Sequence, residues 1–128
     1  MSGNADGWGK GRGRMATITN RQVAEHAFLR PLYQDGYYPD HVVDRGGAAL
    51  LRLCGRIEAE RPQDLASLYA LTRSATEEFN VLQDAFEEAG SEIETVAREA
   101  IGDEFWFVAA AYGFADADAE ELIAARDW

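Results

Sequence analysis

Between positions 77 and 104 the sequence carries ten acidic residues and one base, Arg98. The acids are Glu77, Glu78, Asp84, Glu87, Glu88, Glu92, Glu94, Glu99, Asp103 and Glu104. Helical spacing, about 100° per residue, collects most of them into two rows. Glu77, Asp84 and Glu88 share the outer face of one predicted helix, beside Asn80. Glu92, Glu99 and Asp103 share a face of the next, together with Trp106. Such rows can keep two helix faces solvated. They can also attract a basic partner, because a dense field of one sign speeds association. Where three or more carboxylates converge from both helices, they can hold Mg²⁺ or Mn²⁺ and support a divalent-metal-dependent hydrolase of a small phosphorylated substrate.

The metal reading meets specific objections. All-helical nucleotide pyrophosphohydrolases pair an E-E-x-x-E run with an E-x-x-D run. Here Glu77-Glu78 is followed by Val81, and the step from Glu99 to Asp103 is one residue too long. A ferritin-like di-iron site needs two E-x-x-H pairs. The two histidines, His26 and His41, have no Glu three residues before them. No phosphate-binding loop, nucleophile elbow, H-E-x-x-H or dinucleotide fingerprint occurs, so no cofactor and no metal site is expected. Cys54 falls on a predicted apolar seam, where a small core residue is expected rather than a nucleophile.

Three further groups have the right types for binding. Arg45, Arg52 and Arg56 line the outer face of one helix, placed to meet phosphate, or an acidic row of the fold or of a second copy, against ordinary surface arginines as the plainer reading. Tyr37, Tyr38 and His41 make the loop over 33–41 the best place for a small ligand, against aromatic packing onto the helices as the plainer reading. Glu94 and Glu104 turn toward the apolar side of their helix by angle, and a buried carboxylate demands a partner. Arg98 stands four residues after Glu94.

The elements that must position these residues are all helical. Thr19 or Asn20 can cap a short helix over about 20–29, ended or bent by Pro31. A second helix over about 40–60 has Val43, Gly47, Leu50, Cys54 and Ile57 as its apolar face, with close packing expected at Gly46-Gly47. A third, over about 64–89, starts at Asp64, buries a seam of Leu68, Thr72, Ala75, Phe79, Leu82 and Phe86, and stops at Gly90. Ser91 and Glu94 read as a capping box for a fourth over about 92–112. Gly113 ends it, and a last short helix covers about 118–125 from an Asp118 cap. The third and fourth, joined by about two residues, should form a long antiparallel hairpin. No alternating strand pattern occurs. The fold class expected is all-α, a single compact bundle of about five helices.

The stretch LYALTRSATEEFNVLQDAFEEAGSEIETVAREAI, the loop YQDGYYPDHVVD and the ending AEELIAARDW resemble a family of small bacterial proteins classed as a domain of unknown function. The resemblance covers most of residues 15–128. It implies no activity and places the first fourteen residues outside the shared domain.

Composition sets the outer limits. The chain has 128 residues, a formal net charge of −11 and a single Cys. The length suits one domain over 15–128, and 47% apolar residues exclude a disordered chain. The Gly-rich segment 1–14 holds Lys10, Arg12 and Arg14, has no periodicity and is expected to be a disordered tail. Without it, nine Arg and 22 acids leave a net charge of −13. That excess argues against nucleic acid and anionic membranes as partners. No apolar run is long enough to span a bilayer and no signal peptide is evident, so a cytoplasmic location is expected. These residues together predict a soluble, acidic, non-catalytic interaction module, of inhibitor or immunity type, that presents Glu77, Asp84, Glu88, Glu92, Glu99 and Asp103 to a basic protein. A dimer is compatible with the sequence.

Overall fold

A computed structural model describes residues 18–128; the Gly-rich segment 1–14 lies outside the described residues. The described residues form six helices and no strand: α1 (Arg21–Ala24), α2 (Arg30–Gln34), α3 (Asp40–Glu60), α4 (Leu65–Glu88), α5 (Thr95–Ala111) and α6 (Ala119–Leu122). The all-α class stands, with one helix more than expected.

The additional helix comes from a break. The expected helix over 20–29 starts as foreseen, with Asn20 Oδ1 accepting the Val23 N–H at 3.2 Å. It ends after one turn at Ala24. In an unbroken helix the Leu29 N–H would go to the residue 25 carbonyl. Instead Leu29 takes a left-handed conformation (φ 61°) and gives its N–H to the Glu104 carboxylate. Pro31 then lies in the first turn of α2 rather than ending a helix, a place where its missing N–H leaves no bond unmade.

The long helices follow their punctuation closely. In α3 the residues Val43, Leu50, Cys54 and Ile57 are buried as their spacing predicts. Gly47 is a correction, since it meets nothing within 4 Å. Its neighbour Gly46 is the buried one, where a Cβ would come within 2.9 Å of Leu29 Cδ1 and 3.1 Å of Phe79 Cε1. Close packing therefore occurs one residue, about 100° of helix, from the expected face. Asp64 caps α4 by accepting the Ser67 N–H at 2.8 Å. Gly90 ends α4 at φ 85°, its N–H going to the Glu87 carbonyl while that of Ser91 goes to Phe86 at 2.8 Å. Gly113 (φ 91°) closes α5 in the same way, with Phe114 N–H on the Ala109 carbonyl at 2.8 Å.

The capping box at 91–94 does not form. Ser91 is consumed by the end of α4 and its side chain is buried, so α5 starts only at Thr95, with Glu94 in the cap position and no side-chain cap. At the far end Asp118 caps α6 as expected, accepting the Glu120 N–H at 2.8 Å, but α6 stops at Leu122 rather than near 125.

The closest packing joins α3 and α4, an antiparallel pair linked through residues 61–64. The helices expected over 64–89 and 92–112 to form the long antiparallel hairpin, now α4 and α5, touch where Phe79 and Phe105 lie 5.9 Å apart, but the closely packed neighbour of α4 is α3. Six residues link α4 and α5, not two, because α5 starts late. The added reach makes room for the C-terminal segment, which packs against both. Thr76 and Asn80 of α4 donate to the Leu122 and Ala125 carbonyls, Asn80 accepts the Asp127 N–H, and Arg98 of α5 donates to the Trp128 main-chain oxygen. Leu122, Ile123 and Trp128 are buried beneath, Trp128 against Phe79.

Candidate functional site

Glu77, Asp84, Glu88, Glu92, Glu99 and Asp103 are all exposed, and among the described residues none has an ion-pair partner. Their arrangement differs from a single sheet of charge. The α4 row (Glu77, Asp84, Glu88) and the α5 row (Glu99, Asp103) stand on helices that the C-terminal segment packs between. Glu92 precedes α5 and so does not share its helical face. Glu99 and Asp103 stay together, lining a depression of about 330 Å³ with Arg98, Gly102, Glu120 and Arg126. Both neighbouring arginines are engaged elsewhere. Arg126 reaches Glu120 and lies over the Trp128 ring, and Arg98 bonds the Trp128 main-chain oxygen.

The other acids of the run divide. Glu78 is bound by Arg52 of α3. Glu94 is exposed rather than turned inward, because its cap position removes it from the helical angle assumed for it; Arg98 pairs with Trp128 instead. Glu104 is buried, at 7% exposure, as its angle required. Its partner is not local. His26 Nε2 lies 2.7 Å from Oε1, and the Leu29 N–H reaches Oε2 at 2.5 Å. His26 itself stacks on Phe107 at 3.9 Å and meets the edge of Phe28 at 4.6 Å. Glu104 needed a partner and His26 had none, but 78 residues of sequence separate them. Their complementary demands were the only signal available.

Two arginines of the α3 row turn to the fold's own acids. Arg52 pairs with Glu78 and Arg56 Nε with Glu60 at 2.9 Å, while Arg45 and Arg52 share a depression of about 300 Å³ between α3 and α4. Both pairs are exposed and contribute little to stability.

Of the three residues in the expected ligand loop, Tyr38 is at 4% exposure and packs edge-on against Phe86. It is a core side chain, unavailable to a ligand, and the loop is held by aromatic packing. Tyr37 and His41 are exposed. Desolvation, then the Glu94 and Glu92 carboxylates, raise the Tyr37 phenol pKa. Desolvation and the bond to Asp44 push that of Tyr33 up to about 12.

Sequence reasoning passed over Glu58. Its carboxylate accepts the Tyr112 hydroxyl at 2.5 Å, the Thr19 N–H and hydroxyl each at 2.9 Å, and the Asn20 N–H at 3.0 Å. It thus ties the start of α1 and the end of α5 to α3. Burial alone would raise its pKa, but these bonds to the ionised form outweigh it and the pKa is lowered. Tyr112 shifts upward, by burial and by the same bond. Cys54 is a buried core thiol, pushed up to about 12 by desolvation.

Among the described residues no three His, Cys, Asp or Glu side chains are grouped to hold a metal ion. The hydrolase reading required such convergence from α4 and α5, and its condition is unmet there. Nor is any helix of the described residues long and apolar enough to cross a membrane. The model of a family of unknown function, DUF5713, matches residues 22–128. No curated protein and no solved structure matches the chain.

Proposed function

We propose that this chain, which belongs to the DUF5713 family of unknown function, is a non-catalytic binding module whose exposed carboxylates on α4, on α5 and at Glu92 before it meet a basic protein. The observation that supports the reading is the state of Glu77, Asp84, Glu88, Glu92, Glu99 and Asp103. All six are exposed without an ion-pair partner among the described residues, whereas Glu58 and Glu104 are consumed by the fold. Exposed like charges raise the encounter rate with a cationic surface and repel acidic competitors. A protein that neutralises a cationic target, as an inhibitor or immunity-type protein does, has this need.

The test is binding of a lysine-rich peptide to the full chain, compared with a variant carrying Gln or Asn at all six positions. The unmodified chain should bind with an affinity that falls steeply with salt, and the variant should lose most of both. Equal affinity in the two proteins overturns the reading.

A further inference from the structure

We propose that the outward seam of α5, built from Val96, Glu99, Asp103, Trp106 and Ala110, is the docking face, and that its occupant is a basic amphipathic helix of another protein. This rests on the binding reading above and names the surface and the partner's chemistry.

The five positions are separated by steps of 3, 4, 3 and 4 residues, the spacing with which one helix lies along another. They fall within an arc of about 80° at helical periodicity. The inward face of α5 is already used: Ala97, Ile101, Phe105 and Val108 are in the core. The outward seam is open. Val96 is 50% exposed and Trp106 45%, two of the five large apolar side chains that stand exposed among the described residues. They sit at either end of the exposed carboxylates Glu99 and Asp103. The order along the helix is therefore apolar, acid, acid, aromatic, small. Trp is the side chain most enriched at the energetic centres of interfaces, and its ring face also attracts a cation. Among the described residues Glu99 and Asp103 have no ion-pair partner, since Arg98 bonds the Trp128 main-chain oxygen and Arg126 pairs with Glu120.

Charge complementarity selects the occupant. A second copy docking by the same seam would set Glu99 and Asp103 against their own counterparts, which is repulsive. A helix with two lysines or arginines between apolar residues satisfies every position: the cations meet the carboxylates, and the apolar ends cover Val96 and Trp106. The α4 row, across the C-terminal segment, then steers approach without forming the contact.

The probe is a synthetic amphipathic helical peptide with two lysines between leucines on one face, and a control with glutamates in place of the lysines. Affinity is read by anisotropy of labelled peptide, and the site by amide chemical shifts of the full chain. The expected result is shift changes centred on 96–110, with affinity reduced at least about tenfold by Trp106→Ala. Glu99→Gln with Asp103→Asn should weaken binding and flatten its salt dependence, while Glu77→Gln, Asp84→Asn and Glu88→Gln together should slow association and leave dissociation unchanged. Trp106 is exposed, so its loss leaves the core intact. Unchanged affinity in Trp106→Ala overturns the seam whatever the carboxylate variants do. If the α4 variant alone then weakens binding, the acidic-module reading survives without the seam. No lysine-dependent binding at low salt overturns both.

Discussion

Removing the Glu104 carboxylate tests the internal logic of the fold most directly. Its two oxygens hold two segments that lie 75 and 78 residues away, the Leu29 amide at 2.5 Å and His26 Nε2 at 2.7 Å. The side chain is 9% exposed and that of His26 28%, so solvent screens the pair only weakly. Glu104→Ala leaves the amide of Leu29, itself at 1% exposure, without an acceptor. An orphaned buried N–H costs about 1–3 kcal/mol, and a lost hydrogen bond to a charged group about 1.5–3 kcal/mol. These two figures largely describe the same event, so the loss should be about 2–4 kcal/mol. Glu104→Gln keeps an acceptor for Leu29 and should cost about 1–2 kcal/mol. Urea unfolding measures both, since a shift in midpoint at constant slope reports stability. A double-mutant cycle of His26→Ala with Glu104→Gln should show coupling, because the two groups touch. A Glu104→Ala loss below about 1 kcal/mol would refute the claim that this carboxylate holds the Leu29 amide, and additivity in the cycle would refute its coupling to His26.

Two neighbouring glycines and one carboxylate provide sharper contrasts. Gly46→Ala should destabilise by about 1–3 kcal/mol, because its Cβ would press on Leu29 and Phe79, whereas Gly47→Ala meets open space and should stabilise by up to about 1 kcal/mol; thermal melts of the two variants should move in opposite directions. The lowered pKa of Glu58 means that its bonds to Thr19, Asn20 and Tyr112 contribute stability above the ordinary carboxylate range. That contribution is lost as pH falls through the lowered value, so Glu58→Gln should flatten the acid limb of the stability profile below about pH 4.3, and an unchanged limb would show that those bonds do not favour the ionised form.

The features legible in the sequence were those a short window controls. The bounds of α3 and α4, the caps at Asn20, Asp64 and Asp118, and the stops at Gly90 and Gly113 all follow from periodicity and from local hydrogen-bond demands. Glu104 was marked as buried by its angle alone. The errors share one origin. Ser91 and Glu94 satisfy the capping pattern, but the termination of α4 takes Ser91 first, so two local signals competed and packing chose between them. At Leu29 a distant carboxylate outbids the helical acceptor and splits one expected helix into two.

The sequence by itself determined that the chain is helical, where the three long helices end, and that its composition is strongly acidic. Those properties depend on residue spacing and charge count. Only the tertiary structure decided which carboxylates are spent and which have no ion-pair partner among the described residues. Glu58, Glu78 and Glu104 find partners 26 to 78 residues away in sequence, while the C-terminal segment enters between α4 and α5 and parts the acidic rows. The physical reason is that a carboxylate's partner is chosen by proximity in space, and no period in the sequence encodes that proximity for residues on different helices.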